Sequence, residues 1–229
     1  MKINLGSGAS PLAGFVNVDA LPDAPGVDVV ADISQPLPFA DASADVVYAS
    51  HVLEHFPHAQ TAELLSEWRR VLRPGGQLLI AVPDLDVIAR ISVERRGWFT
   101  PPHGPWIGAI YGGQKDEYDF HKAGFTAPWL AYLLSKAGFG EVKRVERFHG
   151  LERSDNSQSP TPFGQNLSLN MVAVAGAPGL PLKLVEPEPV ERVFNAVDRG
   201  LEHAMNISTS LRARIIGRRR RRLERALDG

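Results

Sequence analysis

Asn4-Leu5-Gly6-Ser7-Gly8 follows the first strand-like run of the chain. Glycines at positions 6 and 8 let a backbone turn take positive φ and approach a ligand closely, because no Cβ projects from them. Asp19 ends the run Phe15-Val16-Asn17-Val18-Asp19. A carboxylate at the carboxyl end of a second strand can accept hydrogen bonds from both hydroxyls of a ribose. Asp32, in Ala31-Asp32-Ile33, can accept from an adenine amino group, with Ile33 and Leu37 covering the ring. Farther on, Ser50-His51-Val52-Leu53-Glu54-His55 puts two imidazoles and a carboxylate on one turn, and Tyr118-Asp119-Phe120-His121 adds a third imidazole. Histidine is the side chain best suited to taking up a proton near neutral pH.

The elements that must position these residues are legible as short apolar runs without clean alternation, the pattern of buried parallel strands. They are Lys2–Leu5, Phe15–Val18, Val27–Ala31, Ala44–Ala49 and Gln77–Val82. A helix is expected over about Ala59–Leu72, stopped by Pro74-Gly75-Gly76, and another over about Ala127–Ala137, ended by Gly138. Two more strands, about Val142–Phe148 and Leu167–Ala175, follow without a helix between them, which predicts an antiparallel pair at one edge. The fold class expected is therefore α/β, a Rossmann-like, mostly parallel seven-stranded sheet. Only ten residues separate Gly8 from Asp19 and seven separate Asp19 from Val27. Crossovers between parallel strands usually take a dozen residues or more. The first two are therefore expected to be shortened to loops, leaving one sheet face to be covered by a C-terminal helix or a second subunit. Residues 84–124, rich in Gly, Pro and aromatics, read as an irregular insertion. Residues 1–176 form the expected domain, 177–189 a linker, and 190–229 a helical, arginine-rich extension.

Taken in order, the glycine turn, the two strand-terminal acids, PLPF (residues 36–39), SHVLEHF (50–56) and RVLRPGG (70–76) resemble the class I S-adenosylmethionine-dependent methyltransferases, the type 11 group in particular. The resemblance covers about residues 2–83. Tyr111 through Phe125, with Leu133-Leu134 and Ala137-Gly138-Phe139, is similar to a bacterial subgroup associated with cell-surface glycan assembly. The resemblance implies that Gly6, Ser7 and Gly8 lie against the methionine part of S-adenosylmethionine. Asp19 would hold the ribose, Asp32 and Ile33 the adenine, and Ser50 and His51 would lie near the sulfonium. A dinucleotide oxidoreductase is disfavoured, since Pro11 stands where the third glycine of its fingerprint belongs.

Methyl transfer to a hydroxyl needs a base, for which His121, beside Tyr118 and Asp119, is the favoured candidate, with His51 and His55 as the others and Glu54 orienting them. A structural hydrogen bond is the plain alternative for each. Tyr118, Asp119, Tyr111 and Trp106 are candidates for gripping an acceptor, a saccharide fitting this aromatic-polar mixture. Asp84 and Asp119, among other acids of the insertion, are candidate ligands for a cation such as Mg2+, although no ligand spacing is diagnostic. Methylation of an amine, a carboxylate or a lipid-linked precursor stands as the nearest alternative. A non-catalytic cofactor-binding scaffold is the alternative from another class.

Composition bounds these readings. The chain has no cysteine, which excludes disulfides, thiolate metal sites and cysteine nucleophiles. Its net charge of −1 divides into +6 over residues 212–229 and −7 elsewhere. Five consecutive arginines, Arg218–Arg222, suit contact with an anionic membrane surface, RNA, or the acidic body of this chain or a homodimer partner. An acidic domain argues against a nucleic-acid substrate. MKINLGSG lacks the pattern of a signal peptide, and no apolar run is long enough to span a bilayer, so a cytoplasmic location, against the inner face of the membrane, is expected.

Overall fold

The computed structural model describes residues 1–94, 107–148, 150, 151, 157, 159, 166–176 and 183–185. They fall in one compact unit, Met1–Ser159 with Asn166–Pro187. Trp98, Phe99, Trp106 and the expected extension 190–229, including Arg218–Arg222, lie outside the described residues.

The strands are β1 (Lys2–Leu5), β2 (Val16–Asp19), β3 (Val29–Val30), β4 (Ala44–Ser50), β5 (Leu72–Pro83), β6 (Phe139–Val145), β7 (Ser168–Ala175) and β8 (Lys183–Val185). They form one sheet in the order β3-β2-β1-β4-β5-β7-β6-β8. β3, β2, β1, β4 and β5 are mutually parallel, and β7 runs antiparallel to both β5 and β6. This is the mostly parallel Rossmann-like arrangement expected, with one added strand. β8 falls within residues 177–189 and pairs parallel with β6, Glu141 beside Lys183. Three residues hemmed by prolines give too short a signal to read as a strand; what recruits them is the row of unpaired backbone groups along β6.

Helix α1 (His58–Val71) buries Thr61, Leu64, Leu65, Trp68 and Val71, one stripe at helical spacing. Helix α4 (Ala127–Lys136) starts with Pro128 in its first turn and buries Ala127, Leu130, Ala131 and Leu134. The two pack against each other, α1 also on β5 and α4 on β6. With Ile3, Val47, Leu78, Ile80 and Met171 from the sheet they build the main core. The opposite face carries a smaller cluster, Leu12, Tyr48, Ala81 and Phe148, contributed by loops as well as strands. Beside it Lys2, Val46, Gln77, Leu79, Val172 and Val174 help line a trough of about 480 Å3.

β1–β2 and β2–β3 are joined by loops, as the short spacings require. Side chains do the holding that crossover helices do elsewhere. Asn17 Oδ1 accepts from Asn4 Nδ2 (2.9 Å) and from the Leu12 amide (2.8 Å), and Asp28 accepts from the Asn17 amide (2.8 Å). Residues 84–124 are more regular than their composition suggests. Asp84 caps helix α2 (Leu85–Glu94), which buries Ile88 and Ile91, and a short turn α3 (Gly108–Tyr111) follows outside the undescribed stretch.

Candidate active site

In an open α/β sheet, ligands bind at the carboxyl edge where the strand order reverses, here between β1 and β4. Gly6, Ser7 and Gly8 leave β1 at that point, and Ser50 and His51 leave β4. Gly6 and Gly8 both take positive φ (61° and 49°). A Cβ on Gly6 would lie 2.6 Å from Val52 Cγ2, whereas one on Gly8 would meet only a backbone oxygen at 4.0 Å. Gly6 thus brings the two loops together, and Gly8 faces open space. Asp19 Oδ2 accepts from the Gly8 amide at 2.7 Å and Oδ1 from the Leu21 amide at 3.0 Å, so the acid ending β2 organises the turn after β1. The hydroxyls of Ser7 and Ser50 are buried and have no hydrogen-bond partner among the described residues. Both stand at the strand edge where a polar ligand could satisfy them.

Asp32 is exposed and its Oδ1 accepts from the Ser34 amide at 2.9 Å. Ile33 and Leu37 are mostly buried in the core, and Ile33 also lines a pocket of about 450 Å3 with Ser34, Pro36 and Leu64. The Leu37 loop is pinned to α1, Glu67 Oε1 accepting from the Leu37 amide at 2.7 Å while Arg70 grips both Glu67 oxygens at 2.6 and 2.7 Å. That guanidinium, and secondarily the Leu37 amide, hold the Glu67 carboxyl below its usual range against the opposing effect of burial.

A histidine cluster occupies the turn after β4. His51 sits in the left-handed region (φ 54°). Its Nδ1 lies 2.9 Å from Glu54 Oε1 and its Nε2 2.9 Å from Ser168 Oγ. A carboxylate oxygen only accepts, so Nδ1 carries a proton, and Nε2 faces the Ser168 hydroxyl. Glu54 is fully buried, in the 3-10 turn Leu53–His55. Its carbonyl accepts from the amides of Lys122 and Ala123 at 2.7 and 3.1 Å, which brings His121 onto the same turn. His55 and His121 meet edge to face, ring centroids 4.9 Å apart. Burial pushes the His121 imidazole below its ordinary pKa, and the Glu54 carboxylate works against that shift. His121 also lines a pocket of about 220 Å3 with His58, Pro83, Ile88 and Tyr111.

Residues 16–80 match the family model described as methyltransferase domain. A Mycolicibacterium smegmatis protein named "Probable S-adenosylmethionine-dependent methyltransferase" is 34% identical over 126 residues, 55% of this chain and 40% of that protein. A Mycobacterium tuberculosis protein with the same description is 30% identical over 190 residues, 80% of this chain and 60% of its own length. This chain carries a class I methyltransferase domain. It spans about half the length of these two relatives. Among solved structures, an S-adenosylmethionine-dependent methyltransferase from Methanosarcina mazei is 19% identical, with a TM-score of 0.48, covering 77% of this chain and 92% of that one.

Within the methyltransferase domain, His51 and Glu54 are brought into contact, and His55 and His121 join the same cluster. The acceptor candidates are scattered more widely. Tyr111 lines the 220 Å3 pocket, while Tyr118 is exposed. Asp119 accepts from the amides of Gly113 and Lys115 and so shapes its own loop. Asp84, the other acid considered for a cation, is fully buried: Oδ1 caps α2 and Oδ2 pairs with Arg144 at 2.6 Å. Asp84 and Asp119 thus have structural duties and are not drawn together; among the described residues, the group close enough to share an ion is Glu54, His55 and His121. Ser168 was invisible to local motif reading, because it joins His51 from 117 residues away. The register that puts Ser168 beside Pro83 brings it there. Arg144 reaches Asp84 by the same long-range route. No helix among the described residues is long and apolar enough to cross a membrane.

Proposed function

We propose that the chain transfers the methyl group of S-adenosylmethionine to a hydroxyl of a saccharide or related small molecule. The observation that carries this reading is the meeting, at one sheet edge, of the Gly6–Gly8 turn held by Asp19 with an imidazole whose proton is fixed by a buried carboxylate. The edge suits the cofactor. Each Asp19 oxygen keeps a lone pair beyond its backbone amide, Ser7 and Ser50 offer unmet hydroxyls, and Asp32 is exposed where an adenine amino group would lie. Bound there, S-adenosylmethionine supplies an electrophilic methyl group on a cationic sulfur that leaves readily.

The chain's own task is alignment and proton removal. His51 Nε2 takes the acceptor hydroxyl's proton as the new bond forms, the acceptor standing in the place of the Ser168 hydroxyl. Glu54 fixes the tautomer and stabilises the imidazolium that results. Tyr111, in the pocket that His121 lines, and Tyr118 and Asp119 on the same arm offer exposed rings and a carboxylate that suit a sugar. The same reading puts the enzyme in the cytoplasm, against the inner face of the membrane, held by Arg218–Arg222.

The test is incubation with methyl-labelled cofactor and pooled sugar, lipid and RNA extracts, with mass analysis of what is labelled. A labelled saccharide ether is the expected product. The variant His51→Asn keeps a residue that tolerates left-handed φ. Its turnover should fall about 10²- to 10⁴-fold, with cofactor binding still measurable by calorimetry, since the Gly6–Gly8 turn and Asp19 hold the nucleoside. Undiminished turnover would remove His51 as base, and failure of the wild type to bind S-adenosylmethionine would overturn the whole reading.

A further inference from the structure

Where the buried Glu54 meets the half-buried His55 and His121, the histidine cluster gathers several lone-pair groups. One ligand atom each from Glu54, His55 and His121 lie within 4.8 Å of one another. His55 Nδ1 lies 3.2 Å from the Phe120 carbonyl oxygen, and His121 Nδ1 lies 3.3 Å from the Ala109 carbonyl oxygen. A carbonyl oxygen only accepts, so each ring carries a proton on Nδ1, and Nε2 is the nitrogen left to bind an ion. Glu54 Oε1 is taken by His51, and Oε2 is buried without a hydrogen-bond partner among the described residues. The groups left over are two imidazole nitrogens and a carboxylate oxygen, and one cation satisfies all three at once.

We propose that Glu54, His55 and His121 bind a divalent first-row transition ion of the Zn2+ class. Two imidazole nitrogens and one carboxylate oxygen make a borderline donor set, poorly matched to Mg2+, which prefers oxygen ligands throughout. The outer contacts are those a metal site requires, because each histidine's other N–H is anchored on a backbone carbonyl, which fixes both ring orientation and tautomer. The backbone is fixed as well, through the paired amides of Lys122 and Ala123 on the Glu54 carbonyl and the His121 amide on the Tyr111 carbonyl (3.1 Å). Small side-chain rotations then close the three ligand atoms onto an ion at the usual bond length of about 2.1 Å. Three protein ligands leave a coordination position open, and the 220 Å3 pocket lined by His121 is beside it. An oxygen of the acceptor is the group that position would take. Only this last use rests on the methyl-transfer reading; the ion site itself does not.

The experiment uses the full chain, stripped with chelator, desalted and titrated with Zn2+ or Co2+. Metal content is measured by mass spectrometry, and Co2+ binding by visible absorption. One equivalent of either ion should bind, with Mg2+ failing to compete. His55→Gln and His121→Gln, each checked for native circular dichroism, should weaken Zn2+ binding by at least about tenfold, and the double variant should abolish it. As a readout that needs no variant, Zn2+ should shift the Nε2 resonances of two histidines in the ¹⁵N spectrum of the wild type while their Nδ1–H signals persist. A wild type that binds no stoichiometric ion, or single variants that bind as tightly as wild type, would overturn the proposal. Methyl transfer by metal-free enzyme would leave the binding site standing and remove only its catalytic use.

Discussion

Glu54 and Glu67 show how a single carboxylate can set the geometry of a loop. Glu54 sends one oxygen to His51 and leaves the other in a corner shared with His55 and His121. Glu67 fastens the Leu37 loop, the stretch following Asp32, to helix α1. Its depressed pKa has a definite thermodynamic sign. A carboxyl whose folded pKa lies below its unfolded value stabilises the fold above the unfolded value, and this contribution disappears as pH falls through the folded one. Glu67→Gln should therefore cost roughly 1 kcal/mol at neutral pH, the scale of one charge-assisted hydrogen bond at a partly screened site. The gap between variant and wild type, followed by urea denaturation from pH 7 downward, should close below the ordinary carboxylate range. A gap that stays constant to acid pH would mean that the charge on Glu67 contributes nothing.

At the scale of elements, the arm from α3 to Phe125 matters most, because it carries His121 to a turn made from residues 53–55. Gly112 is its pivot. It takes φ 79°, and a Cβ there would run into the carbonyl of Asp119 and come within 3.0 Å of the His121 amide nitrogen. Both obstacles are backbone, so no side-chain rotation relieves them. Gly112→Ala should cost at least about 2 kcal/mol, combining left-handed strain with displacement of the chain. Amide hydrogen exchange over residues 108–123 should accelerate while α1 and the central strands keep their protection. Unchanged exchange in that arm would show that the Gly112–Asp119 contact does not hold it.

For the molecule as a whole, charge distribution is the relevant quantity. Residues 212–229 carry +6 against −7 over the rest, a basic segment of the kind that anionic surfaces attract. Vesicles containing anionic lipid should retain the full chain at low salt and release it at high salt, since screening shortens the reach of surface charge. Replacing Arg218–Arg222 with glutamine should reduce vesicle binding by at least about tenfold, given about 1 kcal/mol for each arginine near the surface. Binding that survives this replacement would place the membrane contact elsewhere.

The sequence by itself determined the parallel strands, helices α1 and α4, and the residues at the carboxyl edge. Each is written locally, in an apolar run, a helical stripe, a glycine turn or an acid ending a strand, and local patterns survive without knowledge of the rest of the chain. The short crossovers were likewise a matter of counting residues between Gly8, Asp19 and Val27. Tertiary structure alone decided which polar groups meet. Ser168 reaches His51, Arg144 reaches Asp84 and His121 reaches Glu54 through strand register and backbone hydrogen bonds between distant segments. It also decided that Asp84 is a buried cap, that Ile33 is core, and that Lys183–Val185 finishes the sheet. Burial and partnership depend on what folds against a residue, and no spacing along the chain encodes that.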